Sequence, residues 1–468
     1  MAAAPRAPIV KPIPVPKLDL AQQPPEPLVA VISVASQRMV VYGGQGVVAD
    51  TKVSTGQAGH RTPTGVFSVL QRNRYHESNI YSGAPMPFMQ RLTWSGIALH
   101  QGVVPGYPAS HGCIRLPADF APRMWGLGRI GMRVLVAPHD VLPAAIEHPR
   151  LPVPVMTTID GGDLGQPAVQ TVAMGSAPDQ PSANAVAPPY ALAHFRRSKA
   201  MANQIAAERE VKGAQDLAQE RSAEANRAAE ALRRLERSLE TAERELAEKR
   251  EALARRQTAA EDAPEAQAVA AAAAEIERLR KEVATAKAEE HRASDAAFDA
   301  AKALRAVQDR VDDAAAAARL SASSLEPVSI FVSRKEGKVF VRQGFVPLHE
   351  EAISIVEPER PLGTHVFTAI EGRDGGANLR WQAVTLPSNP PAAAAANEPG
   401  RKRGVAPVLV QSSVPASSAG QALDRFELPP DTMRLVGDRL WSGATLIVSD
   451  FGISGETGRG TDFVVLTQ

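Results

Sequence analysis

A single thiol stands out among the residues that could do chemistry. Cys113 is the only cysteine in 468 residues, and it lies in the segment YPASHGCIRLP, residues 107–117. One cysteine excludes an intramolecular disulfide, so Cys113 is either a small buried hydrophobe or a reactive thiol. A free thiol has a pKa of about 8.5 and needs a neighbouring base or cation to act as a nucleophile at neutral pH.

Two histidines and an arginine lie near Cys113 in the sequence. His100 ends the apolar run SGIAL, so it is predicted to project from a strand end toward the loop at Cys113. His111 precedes Cys113 by two residues and is predicted to lie on the same side of an extended segment. Arg115 offers a planar fork that suits a carboxylate. Each alone would be an ordinary loop histidine or surface charge, but together they predict a nucleophilic site.

The backbone at Cys113 adds a candidate oxyanion hole. Gly112 allows a substrate to approach closely, and the N–H groups of Gly112 and Cys113 could bind a developing oxyanion. The chemistry needs no cofactor and no metal, and His60, His76 and His139 lack a convincing ligand spacing.

Composition divides the chain into successive parts. The predicted parts are a Pro-rich tether at 1–27, a β-rich globular domain at 28–140, a flexible linker at 141–190, a helical coiled coil at 191–322, and a second β domain at 325–468 with a disordered insertion at 387–422. The predicted fold class is therefore multidomain, with two β-rich domains and a long helical segment between them.

Apolar residues recur every seven positions through the helical segment, which predicts a coiled-coil seam. Pro264 interrupts the pattern and divides it into two arms of similar length. The predicted seam of the second arm includes Ile276, Leu279, Val283, Ala286, Ala297, Ala300, Leu304, Val307, Val311, Ala314 and Ala318. We favour an antiparallel hairpin, and the alternative is pairing of the arms between chains.

The second β domain repeats features of the first. TPTGVFSVL at 62–70 resembles RPLGTHVFTAI at 360–370, and IRLPADF at 114–120 resembles FELPPDT at 426–432. The same order in two places predicts a duplicated domain. In this alignment Cys113 falls opposite Arg425, and Arg115 falls opposite Glu427. The first copy is therefore predicted to hold a site that the second copy has lost.

Residues 28–138 resemble the L,D-transpeptidase (YkuD) catalytic domain. The resemblance is carried by SHGCIRL at 110–116, by Leu99 and His100, and by TPTGVF at 62–67. It implies a β-rich sandwich or barrel-like fold and a cysteine enzyme that acts on peptidoglycan stem peptides. The second domain would be a degenerate YkuD-like copy.

The resemblance also implies roles for individual residues. Cys113 would be the nucleophile and His100 the general base and acid, with the backbone carbonyl after His100 orienting the ring. The remaining site residues would be His111 as a further catalytic residue, and Ser110, Gly112 and Arg115 in the oxyanion and substrate-binding site. The chain departs from the family in a shorter segment between His100 and Cys113, and in Gln101 where a small residue is common.

The expected reaction is transfer of an acyl group from a stem peptide through a cysteine thioester to an amine. Water as the acceptor would make the same site a carboxypeptidase or amidase. The alternative is a peptidoglycan-binding scaffold, organised by the coiled coil, that binds stem peptides without turnover.

Charge and hydropathy limit the partners. Lys and Arg number 52 against 51 for Asp and Glu, so no charge field indicates nucleic acid. No apolar run reaches the length of a membrane span. The expected partners are peptidoglycan stem peptides, envelope proteins as acyl acceptors, and other copies through the coiled coil. We expect a periplasmic or envelope location, and we assume an upstream or removed export segment because none is visible in the Pro-rich opening.

Overall fold

The computed structural model describes residues 16–78, 83–160, 184–255, 264–370, 378–387, 416–458 and 460–467. The strands in these residues are β1 Val29–Ser33, β2 Arg38–Gly43, β3 Gly46–Lys52, β4 Gly65–Ser68, β5 Gln71–Asn73, β6 Met89–Arg91, β7 Ala98–Gln101, β8 Ile114–Leu116, β9 Arg133–Ala137, β10 Ala144–Ile146, β11 Thr157–Asp160, β12 Asn184–Ala187, β13 Val328–Ser333, β14 Lys338–Gln343, β15 Val346–Ala352, β16 Thr364–Ile370, β17 Arg380–Leu386, β18 Thr445–Ser449 and β19 Val465–Leu466. The helices are α1 Ala121–Leu127, α2 Pro189–Arg255, α3 Pro264–Ser323, α4 Ala416–Leu423 and α5 Pro430–Gly437. The chain divides into a helical unit at 199–318 and a β unit formed by 16–198 and 319–468.

The helical unit consists of α2 and α3, which run antiparallel. Arg280 pairs with Glu243 at 2.9 Å, and Arg310 pairs with Glu210 nearer the opposite ends of the helices. Pro264 is the first residue of α3, where a missing N–H leaves no helical hydrogen bond unmade. The buried residues of α3 are Ile276, Leu279, Ala286, Ala300 and Val307, all of which belong to the predicted seam. The two long helices and their contact within one chain are confirmed, while the supercoil stays a prediction.

The β unit contains two large sheets in which five consecutive strands follow equivalent orders, β4-β9-β1-β2-β3 in one and β16-β18-β13-β14-β15 in the other. The first runs β19-β4-β9-β1-β2-β3, and the second runs β10-β17-β16-β18-β13-β14-β15. In each sheet one central strand has an antiparallel neighbour on one side and a parallel neighbour on the other. β1 lies between antiparallel β2 and parallel β9, and β13 lies between antiparallel β14 and parallel β18. A register shift falls between Val41 and Tyr42 in one sheet and between Val341 and Arg342 in the other. The shared order and the shared irregularity support the predicted duplication.

Each sheet receives an edge strand from the other end of the chain. β10 follows the first sheet in sequence but pairs with β17 of the second, and β19 at the C-terminal end pairs with β4 of the first. β10 lies in the segment 141–190 that we predicted to be a flexible linker. The structure corrects that prediction for 141–160, because this stretch forms strands and buries Ile146 and Leu151 in the core of the second sheet. Residues 161–183 lie outside the described residues.

A similar correction applies to the tether and to the insertion. Leu18 is buried with Ala191 and Leu192, so the predicted tether 1–27 is packed at this point, while 1–15 lie outside the described residues. Residues 388–415 of the predicted insertion are also outside them. Residues 416–423 form α4 and bury Ala419 and Leu423, so the prediction of disorder is wrong for 416–422. The apolar spacing of this short helix was hidden by its Ala- and Ser-rich composition.

The two sheets pack against each other through a shared apolar cluster. Val31 and Leu135 of the first sheet join Phe331 and Ile447 of the second, and each fully buried side chain of this size contributes about 1.5–3 kcal/mol. We call the first sheet with β5 to β8 and α1 the first lobe, and the second sheet with α4 and α5 the second lobe. The predicted multidomain, β-rich architecture is confirmed.

A buried ion pair lies at the same interface. Arg133 of β9 donates to Asp462 at 2.6 Å, and both side chains are at most one-tenth exposed. The guanidinium also donates to Ser329 at 2.7 Å and to Thr445 at 2.8 Å. The charge is therefore almost fully hydrogen-bonded, as burial of an arginine requires.

The first lobe carries an additional four-stranded sheet in the order β5-β6-β7-β8. β7 and β8 are parallel neighbours, and β8 begins directly after Cys113. Leu99 and Ile114 are fully buried in the core of the first lobe and fix the two strands to it. This sheet therefore positions the two segments that hold the predicted site.

Candidate active site

Cys113 lies in a tight turn that three hydrogen bonds hold in place. Ser110 Oγ donates to the Cys113 carbonyl oxygen at 2.5 Å and accepts from the Gly112 N–H at 3.1 Å. Thr62 Oγ1 donates to the Gly112 carbonyl oxygen at 2.7 Å. Because these bonds fix the backbone on both sides of the thiol, two hydroxyl groups determine where the sulfur lies.

Gly112 is required at its position for two reasons. Its φ of +118° lies in the region that disfavours residues with a Cβ, and an added Cβ would come within 2.9 Å of Ile97. Its N–H is bonded to Ser110, which differs from the oxyanion-donor role predicted for it. The N–H of Cys113 remains the candidate oxyanion donor of this turn.

The strand register brings His100 and Arg115 side by side. They are direct partners in the parallel pairing of β7 with β8. Cys113 precedes Arg115 by two residues, and alternation along an extended chain directs both toward one face. The charge of Arg115 acts on both other groups: it adds to the lowering of the His100 pKa by burial, and it opposes the rise that burial causes in the pKa of Cys113.

His100 is oriented by a backbone carbonyl. Its Nδ1 lies 2.8 Å from the carbonyl oxygen of Gln101, and a carbonyl can only accept, so Nδ1 carries the proton. In the neutral ring Nε2 is then left as the base. The ring is only 9% exposed, and this burial lowers the pKa of His100 below its ordinary value, with the Arg115 charge adding to the effect. The imidazole is therefore neutral at pH 7.

The thiol of Cys113 is also favoured in its neutral form. Burial raises the pKa of Cys113, and hydrogen bonding to the Ala98 backbone and the charges of Arg115 and Arg91 oppose this increase only in part. The sulfur lies 3.3 Å from the Gly96 carbonyl oxygen, to which a protonated thiol can donate. The resting pair is thus a thiol with a neutral imidazole, so attack requires transfer of a proton to the base.

Arg115 supplies a cation that the protein itself does not neutralise. Its backbone pairs with Ser54 in both directions, at 2.9 and 3.1 Å, which fixes the start of the side chain. Gly102 packs against its aliphatic carbons, and a Cβ there would lie 3.0 Å from them. Within the parts of the chain that the structure describes, the guanidinium forms no hydrogen bond or ion pair. It can therefore receive an anionic group.

His111 differs from His100 in its surroundings. Its side chain is exposed, and its ring centroid lies 4.9 Å from that of His60. Its proximity to Cys113 in sequence therefore does not give it the burial of His100. A catalytic role for His111 stays a prediction.

Two groups at the site were not selected from the sequence. Thr62 lies in the TPTGVF segment that carried the family resemblance, so its motif was visible but its contact with Gly112 was not. The Gly96 carbonyl belongs to the turn between β6 and β7, and a backbone oxygen leaves no signal in residue identity. Only the fold brings these two groups to the thiol.

No group of three or more His, Cys, Asp or Glu side chains is arranged to hold a metal ion in the residues that the structure describes. Over the same residues, no helix combines the length and apolarity needed to cross a bilayer.

Comparison with known proteins identifies the first lobe. The family model of the L,D-transpeptidase catalytic domain, YkuD, matches residues 27–136, which contain His100 and Cys113. No curated protein matches the chain.

Several solved structures are similar to the same quarter of the chain. An L,D-transpeptidase from Mycobacterium smegmatis is 22% identical over 24% of this chain and 58% of its own, with a TM-score of 0.22. One from Stackebrandtia nassauensis is 23% identical over 25% of this chain and 57% of its own, with a TM-score of 0.23. One from Xylanimonas cellulosilytica is 27% identical over 25% of this chain and 64% of its own, with a TM-score of 0.22. The chain thus spans less than two thirds of each of these relatives.

The predicted family resemblance is confirmed for this segment, while the degenerate copy in the second lobe stays a prediction. Residues 27–136 of this chain carry a YkuD L,D-transpeptidase catalytic domain.

Proposed function

We propose that the protein is a cysteine-dependent L,D-transpeptidase that acts on peptidoglycan stem peptides. The observation that carries this proposal is a histidine whose Nδ1 contacts the Gln101 carbonyl, which leaves Nε2 as a base, on the strand that pairs with the one beginning directly after the thiol of Cys113. Family membership of the segment supports the reaction class, and the geometry supports the roles.

In the first half-reaction the Cys113 sulfur attacks the carbonyl carbon of the L-centre of a diamino acid in the stem. The thiol proton passes to His100 Nε2 as the S–C bond forms, and the Cys113 N–H stabilises the oxyanion. The C–N bond to the terminal D-Ala then breaks, and His100 returns the proton to the leaving amine. A thioester remains on Cys113.

In the second half-reaction an amine of a neighbouring stem or of an envelope protein attacks the thioester. His100 accepts a proton from that amine and returns it to the sulfur as the S–C bond breaks. Arg115 holds a carboxylate of the substrate and fixes its direction. Water as the acceptor would give hydrolysis at the same site.

The test is incubation of the purified full chain with tetrapeptide stem fragments, followed by mass analysis of protein and products. We expect a thioester adduct on the peptide that contains Cys113, release of D-Ala, and a cross-linked product when an amine acceptor is present. Cys113→Ala is the control and should give none of these. Binding of stems without an adduct or product would favour the scaffold, and released tripeptide without cross-links would favour the hydrolase.

A further inference from the structure

The turn between β6 and β7 contacts the nucleophile directly. The Gly96 carbonyl oxygen lies 3.3 Å from Cys113 Sγ. Within the turn, the Gly96 N–H donates to the Thr93 carbonyl oxygen at 3.3 Å, and the Ile97 N–H donates to Thr93 Oγ1 at 3.0 Å. The position of this carbonyl therefore depends on the conformation of residues 93–97, which we call the thiol-contact turn.

A carboxylate of the C-terminal segment binds the thiol-contact turn. Oε2 of Glu456 accepts hydrogen bonds from the N–H of Trp94 at 2.9 Å and from the N–H of Ser95 at 3.4 Å. Trp94 is half exposed and Ser95 is exposed, so no core packing holds this part of the turn. The Glu456 carboxylate is thus a long-range restraint on the turn at this point.

Glu456 is itself held in a defined place on the first lobe. Its N–H donates to Ser454 Oγ at 3.2 Å, and Thr457 Oγ1 accepts from the Val464 N–H at 2.9 Å. Val464 is fully buried in the core of the first lobe, and Val465 pairs with Val66 of β4. The loop that carries Glu456 is therefore anchored to the lobe whose turn it binds.

We propose that Glu456 is a positioning residue for the active site, through which the C-terminal segment holds the Gly96 carbonyl against the Cys113 thiol. This proposal rests on the proposed function for its catalytic consequence. A carbonyl that meets the thiol stabilises the protonated form and fixes the direction of the sulfur. Preorganisation of this kind matters because misplacement of a reacting group by about 1 Å can cost 10²-fold in rate.

Oε2 of Glu456 accepts both hydrogen bonds from the turn, so substitutions at Glu456 test the role of this one acceptor. Glu456→Gln keeps one acceptor oxygen at the same reach and should retain near-normal behaviour, whereas Glu456→Ala removes the acceptor. The matched control is Glu26→Ala, because Glu26 also accepts from a distant backbone N–H, that of Gly44 at 3.1 Å, away from the thiol. Glu456→Asp, which shortens the side chain by one methylene, should be intermediate and is available if the alanine variant does not fold.

The first readout is the pH profile of Cys113 alkylation by iodoacetamide, which needs no stem peptide. In Glu456→Ala we expect the profile to move to lower pH, because the loosened turn no longer stabilises the thiol through Gly96 and no longer shields it from water. The charged groups that act on the thiol, Arg115 and Arg91, remain in all variants. Hydrogen exchange of the Trp94 and Ser95 amides should become faster in the same variant.

The second readout is the rate of thioester formation with stem peptide. We expect Glu456→Ala to lower kcat for this step by about tenfold with little change in KM, since in this proposal the turn orients the sulfur and does not bind the substrate. Alkylation and acylation would then change in opposite directions, which simple loss of folded protein cannot produce.

The outcomes separate the two proposals. An alkylation profile of Glu456→Ala that matches that of Glu26→Ala would overturn the positioning role, as would a glutamine variant as altered as the alanine variant. Absence of acylation in every variant, together with the shifted alkylation profile, would remove the transpeptidase proposal and leave standing the influence of Glu456 on the thiol through the thiol-contact turn.

Discussion

The two lobes share a strand framework and differ where the nucleophile lies. In the first lobe, the Cys113 sulfur lies 3.3 Å from the Gly96 carbonyl oxygen, and the Arg115 guanidinium beside it forms no hydrogen bond or ion pair within the described residues. At the predicted counterpart in the second lobe, Arg425 donates to the carbonyl oxygens of Val356, Glu357, Arg360 and Pro361. One loop leaves reactive groups available, and the other uses its side chain to hold its own backbone.

The comparison indicates how a duplicated framework can support two roles. An antiparallel bridge lies close to this point in both lobes, between Ser54 and Arg115 in the first and between Ile355 and Phe426 in the second. Where the first lobe has the Cys113 thiol, a nucleophile, the second has the Arg425 guanidinium, which donates hydrogen bonds to backbone carbonyls. We infer that the chain after β18 of the second lobe returns to the first lobe, where it contributes β19 and Glu456 beside the site of the proposed chemistry.

The largest expected effect is that of Cys113→Ala. It should lower acyl transfer by about 10⁴-fold or more, because no other thiol is present to form the acyl enzyme. The fold should be retained, and this is checked by circular dichroism and thermal unfolding beside the mass assay. Full activity in this variant would show that the two lobes do not differ in the way proposed.

The next effect concerns the two histidines near the thiol. His100→Ala should lower the rate of thioester formation by about 10² to 10⁴, the range for loss of a general base. His111→Ala should have a smaller effect, because its ring is exposed and packs beside His60. Single-turnover measurements with both variants decide the assignment, and equal small effects would mean that His100 is not the base.

Removal of the buried carboxylate at the interface between the lobes should cost stability rather than activity. Asp462→Ala leaves Arg133 buried without its anion, and loss of one partner of a buried pair typically costs about 3–5 kcal/mol. Asp50→Ala is the control, because its pair with Arg38 is about half exposed and is worth at most about 1 kcal/mol. Urea unfolding measures both, and equal values would contradict a structural role for the interface pair.

A smaller loss of stability is expected from Arg425→Met in the second lobe. This change removes donors from four carbonyl oxygens that water can reach in part, so we expect the free energy of unfolding to fall by about 1–2 kcal/mol. Arg439→Met removes a single bond to Leu435 and should cost less. Acylation of Cys113 in the folded Arg425 variant should be unchanged, and its loss would indicate that the second lobe takes part in the reaction.

The smallest effect is a shift in the pH dependence of acylation. His100 must be neutral to accept a proton, and burial lowers its pKa, so activity should fall only when the pH drops below the ordinary histidine value of about 6.5. Arg115→Met removes a charge that lowers this pKa, so the acid limb of the variant should move to higher pH. Rates of acylation by a carbapenem across pH 4–8 measure the acid limb in the native protein and in the variant. An acid limb above pH 6.5 in the native protein would contradict a neutral His100 beside a neutral Cys113 thiol.

Much of the site could be predicted from residue identity and spacing. The single Cys113, the upstream His100 and the Ser-His-Gly-Cys order define the chemistry, because each depends on residue type and short distance along the chain. The heptad spacing and Pro264 likewise predicted two long helices, since helical periodicity is a local property. The repeated segments identified the second β region in the same way.

Only the tertiary structure decided which distant segments meet. β10 and β19 pair with sheets far away in sequence, because an edge strand is selected by the unpaired backbone it can reach and not by a local pattern. Ile146 and Leu151 lie in a segment whose composition is typical of a linker, and they are buried only because they pack into the core of the second sheet. The contact of Glu456 with the thiol-contact turn and that of the Gly96 carbonyl with the thiol are also set by the tertiary structure. Hydrogen bonds to backbone atoms depend on three-dimensional position and leave no trace in the sequence.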